Sequence, residues 1–339
     1  MPPVLVYTLA TLGGIGFILG ASLAYASKKF AVEVDPKVEA ILDVLPGANC
    51  GGCGYAGCSA YAEAVVMHGA NATLCSPGGP TTKMKIAEIL GIEAAESDRK
   101  VAYLHCAGSC DVAKDKYSYD GVKDCEMAAM LGGGPKLCEY GCLGYGNCVD
   151  ACQFDALYMG DDGLPVVRRD KCTACGACVR ACPRGLFELL PDSVRIYLAC
   201  SSHDRGKGVK DACSVGCIGC GICVKVSESD AISMKDNLPS INYESEINLV
   251  VAHYKCPTKS YKDLAPKRPH MTIDINKCVG HGKCAEVCPV KNCITGESGS
   301  LHSIDPKLCI GCGRCLDVCP EKAIRVVGAM GYIGHDESS

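Results

Sequence analysis

The run CTACGACVRACP at residues 172–183 constrains the fold of this chain more than any other stretch. Its spacing, Cys-x2-Cys-x2-Cys-x3-Cys-Pro, is that of bacterial ferredoxins, in which three thiolates bind one cubane iron–sulfur cluster and the fourth binds a neighbouring cluster. A variant run precedes it, a truncated run begins at Cys217, and a complete run begins at Cys309. The chain is therefore predicted to consist largely of ferredoxin units in series.

The cysteine content favours metal ligation over disulfide bonding. The chain has 29 cysteines in 339 residues, no Trp and four Phe. It is too long for a small disulfide scaffold, and thiols repeated at such short intervals poorly match the Cα separation that a disulfide requires. We expect thiolate–iron bonds to supply much of the folding free energy, so that removal of the metal unfolds most of the chain. The mild net charge of −4 gives no sign of a strongly basic nucleic-acid-binding domain.

Residues 3–26 carry no charged side chain and would form a helix about 36 Å long, enough to cross a hydrocarbon core of about 30 Å. We interpret residues 1–28 as a transmembrane anchor. A cleaved signal peptide is the alternative, but no basic residue precedes the apolar run. Lys28 and Lys29 follow it and predict that the rest of the chain lies on the cytoplasmic side of the inner membrane. The small residues that could pack against another transmembrane helix are Gly13, Gly16, Gly20 and Ala24.

A small helical domain is predicted over residues 29–95. Asp35 and Pro36 are residue types expected at the N-cap and the first position of a short helix, which ends near Leu45. The Gly-rich stretch NCGGCGYAGC at residues 49–58, together with a fourth thiol beyond a second helix, could fold around one cubane. A zinc site is the alternative, since four thiolates also suit zinc. The predicted ligands are Cys50, Cys53, Cys58 and Cys75.

An internal repeat flanks the central ferredoxin unit. VAYLHC and VKDC are echoed downstream by RIYLAC and VKDAC, so that each copy pairs a β-like run ending in cysteine with a second cysteine beyond a polar loop. We expect the two strands to lie side by side around the inserted unit and to bring four thiols to one cluster. Buried structural cysteines are the alternative, and Cys110 is an alternative ligand. The four predicted ligands are Cys106, Cys125, Cys200 and Cys213.

The central unit is predicted to hold two cubanes, because in bacterial ferredoxins the fourth cysteine of each run binds the cluster of the other run. Its first run is CEYGCLGYGNCVDAC at residues 138–152, and its second is the intact run. Triple Cys-x2 spacings fit cubanes better than tetrahedral zinc. The first predicted set is Cys138, Cys142, Cys148 and Cys182, and the second is Cys152, Cys172, Cys175 and Cys178.

The next unit has lost one set of ligands. Cys217, Cys220 and Cys223 are present, and Cys256 precedes a proline downstream. Counted by the spacing of the intact run, the four remaining ligand positions hold Ser227, Glu246, Leu249 and Ala252. Under the crossover rule, the four absent ligands all belong to one cluster and the four surviving cysteines to the other. One cubane is therefore predicted to be missing while its partner remains.

The last unit, predicted at residues 266–339 together with the tail, has a complete second run and an altered first run. One predicted set is Cys288, Cys309, Cys312 and Cys315. The other site has the thiols of Cys278, Cys284 and Cys319, with His281 where a cysteine is expected. It could hold a [3Fe–4S] cluster, or a cubane with His281 as a fourth ligand that raises the potential. Cys293 could also substitute, and His281 could instead be a hydrogen-bonding residue.

Together these interpretations predict an α+β chain: a single N-terminal transmembrane helix, a small helical iron–sulfur domain, and tandem bacterial-type two-cluster ferredoxin units. The ferredoxin-like core with the repeat and the degenerate unit covers residues 96–265. The basic residues 255–268 are predicted to form a linker, either a solvated connector or a docking patch for an acidic electron carrier. We expect about seven clusters, mostly [4Fe–4S]. Neither a catalytic acid or base nor a nucleotide or flavin site is predicted.

The order of these features resembles the B subunit of the Rnf complex over essentially the whole chain. The resemblance lies in the apolar N-terminus, NCGGCGYAGC, CEYGCLGYGNC and CTACGACVRACP, of which CEYGCLGYGNC is quite specific. It implies a membrane complex that passes electrons between reduced ferredoxin and NAD, coupled to sodium or proton movement. In that family the B subunit is taken to accept electrons from ferredoxin, while sister subunits carry the flavin and nicotinamide sites.

The resulting hypothesis is an electron relay within an ion-translocating ferredoxin:NAD oxidoreductase. Reduced ferredoxin would dock on the soluble part, and the N-terminal helix and first cluster domain would contact other Rnf-type membrane subunits. The competing hypotheses are a membrane-anchored polyferredoxin of another reductase and a non-enzymatic iron–sulfur scaffold or sensor. Regular tandems of cluster motifs argue against a sensor, which needs one centre.

Overall fold

The fold is available as a computed structural model that describes residues 3–29, 35–92, 98–227, 230–245, 247–265 and 267–328. Two features of the sequence lie outside the described residues, namely the tail at 329–339 and Glu246 of the degenerate unit.

Helix α1 (Pro3–Lys29) is the first element of the chain. From Leu12 onward its large apolar side chains are exposed, and Phe17 is 78% exposed. Within the part of the chain that the structure describes, no helix combines the length and the apolar character needed to cross a membrane. The predicted transmembrane anchor is thus not confirmed.

The N-terminal domain consists of three helices, α2 (Pro36–Val44), α3 (Cys58–His68) and α4 (Gly79–Leu90). As predicted, Asp35 caps α2, because its carboxylate accepts a hydrogen bond from the backbone N–H of Lys37 at 2.8 Å. Ile41, Tyr61 and Ile86, one from each helix, are fully buried in a common apolar core. The core fixes the helices around the loop that carries the first cysteines.

The rest of the chain forms three units that share the order β-α-β-β-α-β. In every unit the first strand pairs with the last and the two middle strands pair with each other, all antiparallel. Unit one has an additional helix after its first strand. It comprises β1 (Lys100–Leu104), α5 (Cys125–Met130), α6 (Asn147–Asp150), β2 (Leu157–Met159), β3 (Pro165–Val167), α7 (Ala177–Ala181) and β4 (Phe187–Pro191).

Units two and three repeat this order, and unit two also has an additional helix. Unit two comprises β5 (Ile196–Leu198), α8 (Lys207–Ala212), α9 (Ile222–Val226), β6 (Ile232–Lys235), β7 (Leu238–Ile241), α10 (Val250–Lys255) and β8 (Tyr261–Asp263). Unit three comprises β9 (His270–Ile273), α11 (Lys283–Glu286), β10 (Ile294–Thr295), β11 (Ser303–Ile304), α12 (Arg314–Asp317) and β12 (Ile324–Val327).

The two strands of the internal repeat lie close together but form no ladder with each other, and the rings of Tyr103 in β1 and Tyr197 in β5 are in edge contact with centroids 5.0 Å apart. β1 pairs with β4 and β5 pairs with β8, because each repeat strand is the first strand of its own ferredoxin unit and is completed by the last strand of that unit. The two units meet just beyond these strands, where the backbone N–H of Ala107 donates to the Ala199 carbonyl at 3.0 Å. The thiols at the strand ends still come close together for this reason.

The described part of the basic stretch, residues 255–265 and 267–268, includes a strand and side-chain contacts. The strand is β8. Lys255 Nζ donates to the carbonyl oxygen of Pro289 at 2.9 Å, and the Arg268 guanidinium forms an ion pair with Asp263. The bond from Lys255 to Pro289 connects unit two to unit three.

Candidate metal centres

The cysteines are the candidate ligands. All 29 have free thiols, and most are buried or half-buried. Among the described residues, no three His, Cys, Asp or Glu side chains converge closely enough to hold a single metal ion. Four cavities are each lined by at least four potential ligands. The groups of thiols are named site 1 to site 7, and the numbers are chosen so that each site is a neighbour of the next.

Site 1 lies in the N-terminal domain. The backbone N–H of Cys58, the first residue of α3, donates to Asn49 Oδ1 at 2.8 Å and so folds the Gly-rich loop back onto the helix. Burial raises the pKa of the Cys75 thiol, and the proximity of three other thiols raises it further. The structure brings together the four predicted thiols Cys50, Cys53, Cys58 and Cys75.

Site 2 lies in unit one. Helix α7 carries Cys178, whose pKa is raised to about 12 by burial and by the neighbouring thiols of Cys172 and Cys175. Cys152 packs against the same core. Gly176, with φ of 73°, turns the chain sharply between the second and third of the clustered thiols, a conformation that favours glycine. Site 2 thus brings together three thiols of the predicted set, Cys172, Cys175 and Cys178, and Cys152 stays the predicted fourth ligand.

Site 3 surrounds a cavity in unit one that is lined by Cys125, Cys142, Cys148 and Cys182. Burial raises the pKa of Cys148 to about 12, and Cys125 and Cys182 add to the effect. Asn147, the first residue of α6, holds Cys125 in place: its Oδ1 accepts a hydrogen bond from the Cys125 backbone N–H at 2.8 Å. Asn147 Nδ2 also donates to Asp124, the N-cap of α5, at 2.7 Å.

Site 4 lies between units one and two, around a cavity lined by Cys106, Cys138, Cys200 and Cys213, and Cys142, which also lines the cavity of site 3, borders it too. Burial raises the pKa of Cys106, and Cys138 and Cys213 raise it further. Gly108 allows the loop to approach closely, since a Cβ atom there would lie 3.5 Å from Cys106 Sγ and 3.6 Å from Cys213 Sγ. The site draws two thiols from each unit.

Sites 3 and 4 differ from the predicted sets by one exchanged pair of thiols. The prediction grouped Cys138 with Cys142 and Cys125 with Cys106, whereas Cys125 lies beside Cys142 and Cys138 beside Cys106. The spacing of the intact run explains the exchange, because counting back from Cys148 puts Tyr145 where the second cysteine belongs. Helix α5 supplies the missing thiol, and Cys138 is left for site 4. This signal was present in the sequence and was missed.

A half-buried cation, Arg184, lies next to these two sites. Arg184 donates hydrogen bonds to the carbonyl oxygens of Cys138, at 3.1 Å, and of Gly141 and Gly133. Burial lowers the pKa of its guanidinium, while nearby thiols, Cys138 first among them, oppose that shift. A fixed positive charge here favours a negatively charged group at the thiols.

Site 5 lies in unit two. Burial raises the pKa of Cys217 to about 11, and Cys223, Cys256 and Cys220 contribute further, so the four predicted thiols are brought together. The backbone N–H of Ser260 donates to Cys256 Sγ at 3.4 Å. The second half of the unit holds aliphatic side chains where unit one has thiols. Leu249 and Ala252 are 4% and 2% exposed in an apolar core, and Ser227 is half-buried.

Site 6 surrounds a cavity in unit three that is lined by the predicted set Cys288, Cys309, Cys312 and Cys315. Burial raises the pKa of Cys315 to about 12, with further contributions from Cys312, Cys309 and Cys288. Cys293 lines the same cavity and is 2% exposed. Burial raises the pKa of its thiol to about 12, and the thiols of Cys288 and Cys309 raise it further.

Site 7 is the second cavity of unit three. Cys278, Cys284 and Cys319 line it together. Burial raises the pKa of Cys284, and the thiols of Cys278 and Cys319 raise it further. His281 lines the cavity but is exposed at its outer side. A second imidazole, His302, lines the cavity and is 4% exposed. Sequence reasoning missed His302 because it lies outside the cysteine runs.

The chemistry of these sites fits iron–sulfur clusters. The thiols are buried and crowded, so they resist ionisation until positively charged iron replaces their protons. Backbone N–H groups also donate to the sulfurs, as is needed to stabilise an anionic cluster. Such donors at 3.3–3.5 Å are Ala102, Gly108, Cys142, Leu186, Ser202, Cys217, Ser260, Met271 and Ala323.

Comparison with protein families agrees with this arrangement. The N-terminal site falls in a match to the family described as "Putative Fe-S cluster", at residues 45–77. Two matches are described as "4Fe-4S dicluster domain", at residues 140–186 and 216–292, and one as "4Fe-4S binding domain", at residues 302–325. The matched stretches cover runs in all three units.

Similar proteins are B subunits of ion-translocating oxidoreductase complexes by name. The B subunit of the "Ion-translocating oxidoreductase complex" of Methanosarcina acetivorans is 40% identical over 291 residues, which are 86% of this chain and 98% of that protein. The B subunit of the "Na(+)-translocating ferredoxin:NAD(+) oxidoreductase complex" of Acetobacterium woodii is 41% identical over 73% of this chain and 74% of its own length. Its "Proton-translocating" counterpart from Clostridium ljungdahlii is 42% identical over 73% of this chain and 88% of its length. The chain therefore belongs to the family of B subunits of the ion-translocating oxidoreductase, or Rnf, complexes.

Proposed function

We propose that this chain carries electrons from reduced ferredoxin, through iron–sulfur clusters at sites 1 to 7, to the membrane part of an ion-translocating ferredoxin:NAD oxidoreductase. A bound cluster accepts and releases one electron at a time. The observation that carries the proposal is that each site contacts the next, from unit three to the N-terminal domain. The names of the relatives from Acetobacterium woodii and Clostridium ljungdahlii support ferredoxin and NAD as the redox partners of the complex.

The first contact joins site 1 to site 2. Arg180 Nη2 donates to the carbonyl oxygen of Cys50 at 3.1 Å, and its Nη1 donates to that of Cys175 at 3.2 Å. The loops themselves touch, since a Cβ atom at Gly52 would lie 2.8 Å from the Cys175 carbonyl oxygen. One side chain therefore connects a ligand of each site.

Within unit one, sites 2 and 3 share an apolar core, and Cys182 of the second run lines the cavity of site 3. Cys148 of site 3 is close enough to raise the pKa of Cys178 in site 2, after burial and the thiols of site 2 itself. Site 3 then contacts site 4 directly. The backbone N–H of Cys142 donates to Cys106 Sγ at 3.3 Å. A hydrogen bond from one ligand to the sulfur of the next site is a short route between them.

The same type of contact joins unit one to unit two. The backbone N–H of Cys217 in site 5 donates to Cys200 Sγ in site 4 at 3.3 Å. Site 5 adjoins site 6, because Cys312 packs in the apolar core that contains Cys217 and Cys223. Asn248 Nδ2 also donates to the Cys312 carbonyl oxygen at 2.7 Å.

Sites 6 and 7 complete the series in unit three. Cys284 of site 7 contributes to the raised pKa of Cys315 in site 6, after burial and the thiols of site 6. The chain's own residues would do three things in this mechanism. They would hold iron through thiolates, exclude water by burial, and connect neighbouring ligands by hydrogen bonds. Of the 29 cysteines, Cys110 and Cys293 are left outside these seven ligand sets.

The two ends of the series would face different partners. Helix α1 carries exposed Leu12, Phe17 and Leu23, which suit a lipid or protein-helix environment better than water. We therefore keep the single-pass inner-membrane anchor as part of the proposal, with the soluble units on the cytoplasmic side. Site 1 would then deliver electrons to membrane subunits, and ferredoxin would dock nearer unit three.

Mixing anaerobic reduced ferredoxin with the full oxidised chain tests this function. Rapid bleaching of the iron–sulfur absorbance is expected. In Cys200→Ser, which removes a ligand of site 4, sites 5 to 7 should still be reduced while sites 1 to 3 stay oxidised. Cys110→Ser, an exposed cysteine, is the control and should behave as the unaltered chain. If ferredoxin bleaches no clusters in the unaltered chain, the relay is wrong and a scaffold or sensor function is favoured.

A further inference from the structure

Site 7 has three thiols and two imidazoles at its cavity, and the two imidazoles differ in surroundings. His281 stands in the sequence position of the missing cysteine but is exposed. His302, in the hairpin between β10 and β11, is 4% exposed and borders the same cavity. The buried ring is the one that is held in place.

The orientation of the His302 ring is fixed on one side by a hydrogen bond. His302 Nδ1 lies 3.0 Å from the carbonyl oxygen of Ser300. A carbonyl oxygen can only accept, so Nδ1 carries the proton and the neutral ring has its lone pair on Nε2. Histidines that bind metals usually donate their other ring N–H to a carbonyl or carboxylate in this way.

Two glycines form the slot in which the ring lies. A Cβ atom at Gly296 would come within 2.8 Å of the ring carbon Cγ of His302. A Cβ atom at Gly282 would lie 3.8 Å from Nε2. Gly282 is the N-cap of α11, the helix that carries Cys284, so Nε2 is next to the segment that presents a thiol of site 7. The free lone pair is therefore on the side of the ligand loop.

We propose that His302 Nε2 is the fourth ligand of the cluster at site 7, together with the thiolates of Cys278, Cys284 and Cys319. This inference rests on the proposed cluster at site 7. An unprotonated nitrogen beside an anionic cluster is repelled unless it binds an iron, because its lone pair has no proton to donate to sulfur. The site then holds a cubane with one imidazole, and its exposed neighbour His281 is not a ligand. Replacement of a thiolate by neutral imidazole makes the cluster less negative and raises its potential.

Pulsed EPR of the reduced full chain tests this assignment, because a directly bound imidazole gives a strong ¹⁴N coupling that thiolate-ligated clusters lack. We expect the coupling in the unaltered chain and in His281→Ala, and its loss in His302→Ala and His302→Cys. Iron analysis gives a second readout. His302→Ala should lose about one iron per chain as a [3Fe–4S] cluster forms, and His302→Cys should retain it.

The outcomes separate this inference from the proposed function. Coupling that persists in His302→Ala but disappears in His281→Ala overturns the assignment of His302, as does a cluster at site 7 without nitrogen coupling in the unaltered chain. Loss of a whole cluster in both His302→Ala and His302→Cys would mean that the ring only packs, which also overturns it. Absence of a cluster from site 7 in the unaltered chain would contradict the proposed function itself.

Discussion

Units one and two have the same order of strands and helices but fill their second halves differently. In unit one, α7 follows Gly176, with φ of 73°, and carries a thiol of site 2 into the core. In unit two, α10 follows Leu249, with φ of −88°, and the core there is made of Leu249, Val250, Val251 and Ala252. The same half of the ferredoxin fold can thus contain a cluster of thiols or an aliphatic core.

The units also differ from isolated ferredoxins in what they share. Site 4 takes Cys106 and Cys138 from the segment after β1 and Cys200 and Cys213 from the segment after β5. Unit two therefore has no cysteines at one set of ligand positions but contributes half of a site at its boundary with unit one. The series of thiol sites remains continuous across the unit that has only one internal set of cysteines.

Removal of iron should affect the two units most unequally. Anaerobic chelation should unfold the second half of unit one, whereas α10 and β8 of unit two should keep protection through their apolar core. Amide hydrogen exchange of the chelated chain should be faster in α7 and β4 than in α10 and β8 by about tenfold or more. The iron-loaded chain is the reference for both measurements. Equal loss of protection in both units would contradict the expected difference between them.

Cysteine replacements should show which thiols belong to site 3 and which to site 4. Cys182→Ala should remove the cluster of site 3, about four irons, and leave that of its own run largely intact. Adding Cys125→Ala to Cys182→Ala should remove no further cluster, because both cysteines belong to site 3. Adding Cys138→Ala to Cys182→Ala should remove a second cluster, that of site 4. Iron analysis with EPR measures both, and Cys110→Ala is the control. The opposite result, two clusters lost with Cys125→Ala and one with Cys138→Ala, would restore the grouping expected from the sequence.

Leu249→Ala tests the apolar half of unit two. Leu249 is 4% exposed and stands where unit one has Cys175, so its truncation should leave a cavity and lower the free energy of unfolding by about 2–5 kcal/mol. Leu301→Ala, at a side chain that is 56% exposed, is the matched control and should cost far less. Anaerobic urea unfolding, monitored by hydrogen exchange in α10, measures the change in the free energy of unfolding. A small effect would mean that the aliphatic core does not replace the lost cluster.

Arg180→Ala should give the smallest effect, since it removes hydrogen bonds between sites and no ligand. The variant loses the bonds to the carbonyl oxygens of Cys50 and Cys175, each worth about 1 kcal/mol net, so reduction of site 1 should slow by up to about tenfold. Iron content should not change. Rapid-freeze EPR measures the rate, with Arg168→Ala as the control because Arg168 bonds within unit one. An unchanged rate would remove Arg180 from the route.

The sequence was most informative where all ligands of a site come from runs of known spacing. Sites 1, 5 and 6, and three thiols of site 2, bring together cysteines that the sequence grouped, because most of these cysteines lie in runs that fold locally. The short helix after Asp35 was predictable for the same reason, since its cap acts within one turn.

The remaining features depend on contacts between distant segments. The spacing shows that Tyr145 stands where a thiol of site 3 belongs, but that Cys125 supplies this thiol depends on the hydrogen bond from its backbone to Asn147. The pairing of β1 with β4 depends on the closure of unit one by a strand far along the chain. His302 comes to site 7 from a hairpin outside the cysteine runs. Such partners follow from the assembled fold and carry little signal in spacing alone.

The continuity of the seven sites is the central claim, and the iron content of the full chain tests it most directly. The chain should be purified anaerobically and its clusters counted by iron analysis with Mössbauer and EPR spectra. The account predicts about 28 irons per chain in seven clusters. A content corresponding to four or five clusters would contradict it, because sites 4 and 5, which connect the ferredoxin units, would then be among those without iron.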